Sequence, residues 1–300
     1  MTSLFHTRPI SVSREVAAYE ALWCRDGMSF PRMATLFKSR PGARPSEVLD
    51  DEDSLSRTLS DITSFLSSVH LRGGVRLHGA LDYPQRLRDA KNPLELLYYE
   101  GDWDLVSRPS VAIVGARKAS SDGIKRARKL AKLLVADGFV VASGMGEGID
   151  TAAHSAAIER GGKTIAVLGT PLSETYPKSN SHLHGELRQN HLVISQIPFL
   201  HYSKISDYRL KRRFFPERNV TMSALSQATV IVEASDTSGT LHQARASIAQ
   251  KRKLFILDSC FSRGLKWPET MLKKGAIRVS EYNDIVSHLE RPSSSHNAVA

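Results

Sequence analysis

Between residues 12 and 70 apolar side chains recur at every third or fourth position, in SREVAAYEALW, FPRMATLFKS and SLSRTLSDITSFLSSV. That spacing predicts short amphipathic helices. Pro41, Gly42 and Pro45 interrupt the pattern, an acidic patch runs from Asp50 to Asp53, and LRGGVRL marks a turn near residue 72. A small helical domain over residues 1–75 is therefore expected. Beyond it the period changes. Short β-branched runs stand at 110–115 (SVAIVG), 139–143 (FVVAS), 164–169 (TIAVLG), 192–196 (LVISQ), 229–234 (TVIVEA) and 253–257 (KLFIL). Helical segments such as IKRARKLAKLLVADG and DTAAHSAAIERGG separate most of them. Near-continuous apolar strands alternating with helices predict an α/β domain over 76–288, a Rossmann-like parallel sheet with helices on both faces. Its ligand crevice should lie beyond the carboxyl ends of the strands. Residues 289–300, ending RPSSSHNAVA, read as a disordered tail.

Charge adds a partner class to this outline. Lysine plus arginine exceed aspartate plus glutamate by 41 − 31 = 10, a balance that favours polyanions because neutralised phosphates release counterions. No run of about 18 apolar residues offers a membrane span, and the first twenty residues lack the pattern of a secretory signal. Cys24 and Cys260 are far apart and have no metal-ligand spacing. A reducing cytoplasm, with no disulfide and no metal centre, is the expectation.

The candidate chemistry clusters at the ends of the expected strands. Gly115 closes the first, and Ala116, Arg117 and Lys118 follow it. A glycine there turns the backbone toward a helix N-terminus, which attracts phosphate, and Arg117 offers a fixed cationic fork. The segment is not GxGxxG, so no dinucleotide cofactor is expected. After the second strand comes SGMGEGID, in which Ser143, Gly144, Gly146, Gly148 and Asp150 form a candidate phosphate cradle. Asp150 reads as the N-cap of the next helix, His154 as a hydrogen-bonding residue, and Glu147 as a charge that weakens anion attraction locally. The stretch YRLKRRFFPERN interleaves Arg209, Lys211, Arg212, Arg213 and Arg218 with Tyr208, Phe214 and Phe215. Basic groups track a phosphodiester backbone while aromatic faces stack on unpaired bases. Arg218 and Asn219 are read as immediately preceding the helix TMSALSQA. Ser238, Gly239 and Thr240 form a second small-residue loop at a helix start.

Taken in order, these segments resemble the DprA/Smf family of DNA-processing proteins. The resemblance runs from about Tyr83 to Ile285 and rests on YPQRL, PLELLYYEG, VGAR, SGMGEGID with AAH, TYP with Asn180 and Leu183, FPERN, and the VEA and SGT pair. It implies a protein that binds single-stranded DNA in a basic pocket, forms a homodimer and loads RecA recombinase onto incoming DNA during natural transformation. By position it carries DNA contact or pocket formation onto Arg117, Ser143, Gly144, Gly148, Asp150, Arg218 and Asn219. Three positions depart from the family's pattern: Val220 replaces a second arginine, Glu147 enters the glycine loop, and Gln196 replaces a glutamate. No C-terminal winged-helix domain is expected, which makes this a divergent member.

Two other functions fit parts of the pattern. A nucleotide sensor would use a similar pocket on an otherwise less basic surface. A nucleoside-monophosphate phosphoribohydrolase would need a carboxylate where DTSGTLHQ places Gln243, and an amide cannot supply that chemistry.

Overall fold

The computed structural model describes residues 10–69, 71–80 and 82–292. Helices α1 (Val12–Trp23), α2 (Phe30–Lys38), α3 (Pro45–Leu49) and α4 (Glu52–Val69) open the described chain. Their starts follow local chemistry. The Ser29 hydroxyl accepts the Arg32 amide at 3.4 Å ahead of α2, and Pro31 sits in the first turn, where its missing N–H costs nothing. Strands β1 (Gly74–Leu77) and β2 (Leu96–Gly101) follow as an antiparallel pair.

Then the α/β alternation begins: β3 (Ser110–Gly115), α5 (Ser121–Ala136), β4 (Val140–Ser143), α6 (Ile149–Glu159), β5 (Thr164–Leu168), α7 (Ser181–Asn190) and β6 (Leu192–Ser195). A longer crossover carries α8 (Phe199–Lys204), α9 (Tyr208–Lys211) and α10 (Phe214–Leu225) to β7 (Ala228–Glu233). The chain ends through α11 (Thr240–Ala249), β8 (Lys253–Leu257), α12 (Trp267–Leu272), β9 (Ile277–Val279) and α13 (Tyr282–Val286).

All the described strands join one sheet in the order β1-β2-β6-β5-β4-β3-β7-β8-β9. The six apolar runs are the strands β3 to β8 of the parallel sheet expected from the sequence, and β9 joins it as a seventh parallel strand beside β8. Two antiparallel strands extend it, since β2 pairs antiparallel with β6. The chain moves outward from β3 in one direction through β4, β5 and β6, and in the other through β7, β8 and β9. The crevice between β3 and β7 is thus the switch point, where such sheets bind ligands.

Strand alternation divides the core into two faces. Val111 and Ile113 of β3 point toward α5 and α6, with Ala127, Leu134 and Ala153. Ala112 and Val114 point to the other face, which also takes Met222 of α10 and Leu241 of α11. The N-terminal helices belong to this second core rather than to a separate one, since Tyr19, Leu22 and Trp23 are buried in it with Tyr98 and Phe199. β1 straddles the boundary expected between residues 75 and 76, because the ladder to β2 already starts at Gly74. At the other end, the first residues of the expected tail are held: Glu290 and Gln227 exchange hydrogen bonds at 3.1 and 3.2 Å, and Leu289 packs against the α5 face. Residues 293–300 of that tail lie outside the described residues.

One buried carboxylate joins the helices to the sheet. Glu20, fully buried in α1, accepts the Tyr98 hydroxyl of β2 at 2.6 Å and the amides of Phe199 and Leu200 at 2.8 and 2.9 Å. Those amides are otherwise unpaired first-turn donors of α8. Burial pushes the Glu20 carboxyl above its ordinary range, against the pull of these three donors. Glu20→Ala leaves three buried donors without an acceptor, so it should lower unfolding stability by on the order of 3 kcal/mol. Urea denaturation of both proteins measures this, and a loss below about 0.5 kcal/mol would mean that the docking does not depend on the carboxylate.

Candidate functional site

The strand-end segments meet where the sheet topology places a crevice. Gly115, Arg117 and Asp150 line one side of an open cleft of about 410 Å³. Arg212, Phe215, Arg218 and Asn219 line the second, and Ser238, Gly239 and Thr240 the third. Asn219 connects two of these walls, donating to the Gly239 carbonyl at 3.1 Å while its Oδ1 accepts from Arg218 Nε at 2.8 Å. The Ser238 hydroxyl accepts the Thr240 amide at 3.2 Å, and Thr240 Oγ1 donates to the Gly115 carbonyl at 3.3 Å.

Arg218 is the floor of the site. Only 7% exposed, it donates through Nη1 to the Val167 carbonyl at 2.7 Å. It lies within α10 rather than ahead of it. Pro216 falls in the first turn of that helix, where proline is tolerated, so the helix starts at Phe214. Burial lowers the affinity of the Arg218 guanidinium for its proton, the field of Asp150 opposes this, and Arg117 adds to it. Burial likewise raises the Asp150 carboxyl, with Arg218 and the Gly146 amide acting the other way. No ion pair within 4.0 Å joins Arg218 to a carboxylate among the described residues.

The glycine loop is shaped around this pair. A Cβ at Gly144 would stand 2.2 Å from Arg218 Nη1 and 2.5 Å from Asp150 Oδ2, so a side chain there would displace the two charged groups. Gly148, at φ +74°, caps α6, and a side chain there would meet the Arg117 carbonyl at 2.4 Å. Asp150 is therefore not the N-cap; it sits in the first turn and accepts the Gly146 amide at 3.1 Å. Ser143 is buried, its hydroxyl committed to the Ile113 carbonyl at 2.6 Å. Asn180 braces the loop from outside, donating to the Met145 carbonyl and to Thr151 Oγ1, both at 2.9 Å. His154 braces it from below, bonded to the Gly144 carbonyl at 2.6 Å and to Thr164 Oγ1 at 2.7 Å.

Arg117 is exposed and lies 5.3 Å from the centre of the Phe215 ring and 5.9 Å from that of Tyr176. Tyr176 in turn bonds to the exposed Tyr208, hydroxyl to hydroxyl at 2.7 Å. Tyr176 was absent from the sequence-based candidates, although the TYP segment carried it; only the fold brings that loop against FPERN. The basic segment is not used uniformly. Arg212 reaches the cleft, and Arg213 and Lys118 are exposed beside it. Arg209 instead pairs with Asp207 at 3.1 Å, and Lys211 lies over the Tyr202 ring at 4.3 Å. A roomier cleft of about 750 Å³, between α5 and β8–β9, holds none of the strand-end motifs and mixes Arg126 and Lys129 with Asp258 and Glu281. Among the described residues, no group of three metal-ligating side chains assembles, and no helix is long and apolar enough to cross a membrane.

Residues 75–290 match the family model described as DNA recombination-mediator protein A. The chain belongs to this family. The DprA/Smf resemblance read from the motifs is thereby borne out, and membership assigns the family's DNA-processing, recombination-mediating class of function. The chain is 35% identical over 209 residues to the DNA processing protein DprA of Streptococcus pneumoniae, covering 69% of this chain and 71% of the relative. It is 32% identical to the protein Smf of Escherichia coli, where the match covers 69% of this chain and 54% of the relative. The solved structure of the pneumococcal protein superposes with a TM-score of 0.74 at 26% identity, covering 94% of this chain and 99% of that one. DNA processing protein A from Helicobacter pylori, solved in a study of its single-stranded DNA binding mode, gives a TM-score of 0.62 at 26% identity, covering 73% and 96%.

His154 links this loop to pH. Burial lowers its pKa from 6.5 to about 4, against the hydrogen bond to Gly144. The imidazole stays neutral in the folded protein while the unfolded chain takes up a proton below pH 6.5, so the folded state loses relative stability as pH falls from about 6.5 to about 4. The full span corresponds to about 3 kcal/mol. His154→Gln should flatten the stability–pH curve across that window by about one proton, as read from chemical denaturation at several pH values. Identical slopes would show that the histidine does not carry the dependence.

Proposed function

We propose that this protein binds single-stranded DNA across the strand-end cleft and acts as a non-catalytic mediator that protects the strand and passes it to a RecA-type recombinase. The observation that carries the reading is Arg218. A guanidinium has five N–H donors, and here Val167 and Asn219 take two of them, while among the described residues no carboxylate forms an ion pair with it and Asp150 offsets the charge only through its field. A buried cation with donors to spare can hold a further anion, and the cleft it lines is open to one. Arg117, Arg212 and the amides around Ser238–Thr240 surround the same space. Beside it, Tyr176, Tyr208 and Phe215 present aromatic faces, and stacking on unpaired bases needs such faces.

The single-stranded DNA binding of the Helicobacter pylori relative supports this reading. The chemistry around Gln243 supports the absence of catalysis. Its side chain is buried and donates to Thr229 Oγ1 at 3.1 Å, and an amide at the hydrolase's carboxylate position cannot stabilise a cationic sugar or activate water. A second copy of the chain as partner, and the cytoplasm as compartment, complete the proposal.

The cleft volume favours a second reading, a mononucleotide sensor. Tyr176 and Tyr208 lie outside the lining of the cleft that one nucleotide would fill, which favours the strand. Arg117→Ala is the cleaner test because Arg218→Ala also removes a floor bonded to Val167. The variant should bind a single-stranded oligonucleotide several-fold more weakly, with a log–log salt slope smaller by about 0.7. Fluorescence anisotropy across a salt series reads both quantities. Unchanged affinity and slope would place the strand elsewhere, and mononucleotides competing at equal concentration would favour the sensor.

A further inference from the structure

A second cationic pocket, of about 420 Å³, lies between α2 and the chain that joins β1 to β2. Lys38 and Arg40 border it on one side, and His78, Arg88 and Lys91 on the other, with Glu95 at its base. Glu95 is 4% exposed, and its two oxygens are used at 2.7 Å by His78 Nδ1 and Arg88 Nη1. Among the described residues, the one carboxylate lining the pocket is thus already engaged, by His78 and Arg88. Glu47, whose carbonyl accepts from Arg40 at 3.0 Å, spends its carboxylate on Arg44. Lys38 and Lys91 are exposed and form no hydrogen bond or ion pair among the described residues.

Register fixes where this pocket faces. Leu96, the first residue of β2, pairs with Leu77, and Tyr98 two residues on pairs with Ser195, the last residue of β6. Because β2 runs antiparallel to β6, His78 and Glu95 stand beyond the carboxyl end of the parallel strands, as the cleft does. Packed rings link the helices behind the two sites: Phe30 at the start of α2 lies 6.1 Å from Phe214, which precedes Phe215 of the cleft in α10. Arg212 and Arg213 lie exposed at that junction. The far wall is held in place by Arg252, which bonds to Asp89 at 2.7 Å and to the Ala224 carbonyl of α10 at 3.1 Å.

We propose that this pocket, built around Lys38, Arg40 and Lys91, takes the phosphodiester backbone of the same single strand after it leaves the cleft. The inference rests on the single-strand reading above. It gives the N-terminal helices a share in binding and makes affinity depend on strand length. Free cations border a cavity without a free carboxylate, on the face where the strand emerges; phosphates supply the missing charge.

The test compares the whole protein with its Lys38→Ala/Lys91→Ala variant on oligothymidylates of about 6 and about 24 nucleotides, lengths chosen to fill one site or to pass beyond it. The short strand should bind both proteins alike. The long strand should bind the variant on the order of tenfold more weakly at 0.1 M salt, with a salt slope smaller by about 1.4, two contacts at about 0.7 each. Equal affinity for the long strand, or an equal loss on both lengths, would overturn the second pocket while leaving the cleft intact. A parent protein that binds neither length would overturn the single-strand reading, and this inference with it.

Discussion

A guanidinium buried beneath the switch point of the sheet sets the demands on everything around it. Arg218 cannot give up its charge at physiological pH, and charge in a low-dielectric interior is costly unless it is compensated. The protein compensates it in part, with one backbone carbonyl, one asparagine oxygen and the nearby but unbonded carboxylate of Asp150. Gly144 leaves these groups room, because a Cβ there would push both the guanidinium and the carboxylate aside. Asn219 spans from Arg218 to the Gly239 carbonyl, so the same network sets the position of the Ser238–Thr240 loop. This partial compensation is the ground for proposing an anion in the cleft.

The scaffold that holds this arrangement is wider than the Rossmann-like sheet. Glu20 fastens α1 to the start of α8, and Trp23, Phe30, His201 and Phe214 pack in a row from α1 to α10. The N-terminal helices thus bear on the crossover that carries the basic segment. A change that loosens α1 should therefore reach the position of Phe215 and Arg218 without touching either.

The sequence made the parallel sheet legible because its strands are buried on both faces and read as unbroken apolar runs. β1 and β9 escaped because each is short, only partly buried and interrupted by an arginine, whereas β4 and β6, also four residues long, are buried throughout and read as apolar runs. β2 escaped because its pairing with β1 and β6 is set by the tertiary fold. At the site, the glycine loop, VGAR, FPERN and SGT were recognisable as small or charged residues at strand ends, and the fold does bring them together. Sequence did not show which arginines remain free. Arg209 is held by its neighbour Asp207, and Lys211 lies on a tyrosine, outcomes decided by side-chain geometry. Tyr176 was hidden for a related reason, since its part depends on a loop 39 residues from Phe215 folding against it.

Glu147 shows how placement decides what a charge does. In the sequence it stands among the glycines of the loop and should repel phosphate. In the folded protein its carboxylate accepts the Ser179 hydroxyl at 2.9 Å, on the side of the loop that Asn180 braces. It lines neither the cleft around Arg218 nor the recess beneath Tyr176. Its field still reaches the cleft through solvent, but an exposed charge is screened within about 10 Å at moderate salt. Asp150 behaves differently because it is buried and close to Arg218, where screening is weak. The loop thus carries two carboxylates, and the buried one is kept at the site by its part in holding the arginine. Anion attraction in the cleft is then set by Arg117, Arg212 and Arg218 against a single buried aspartate.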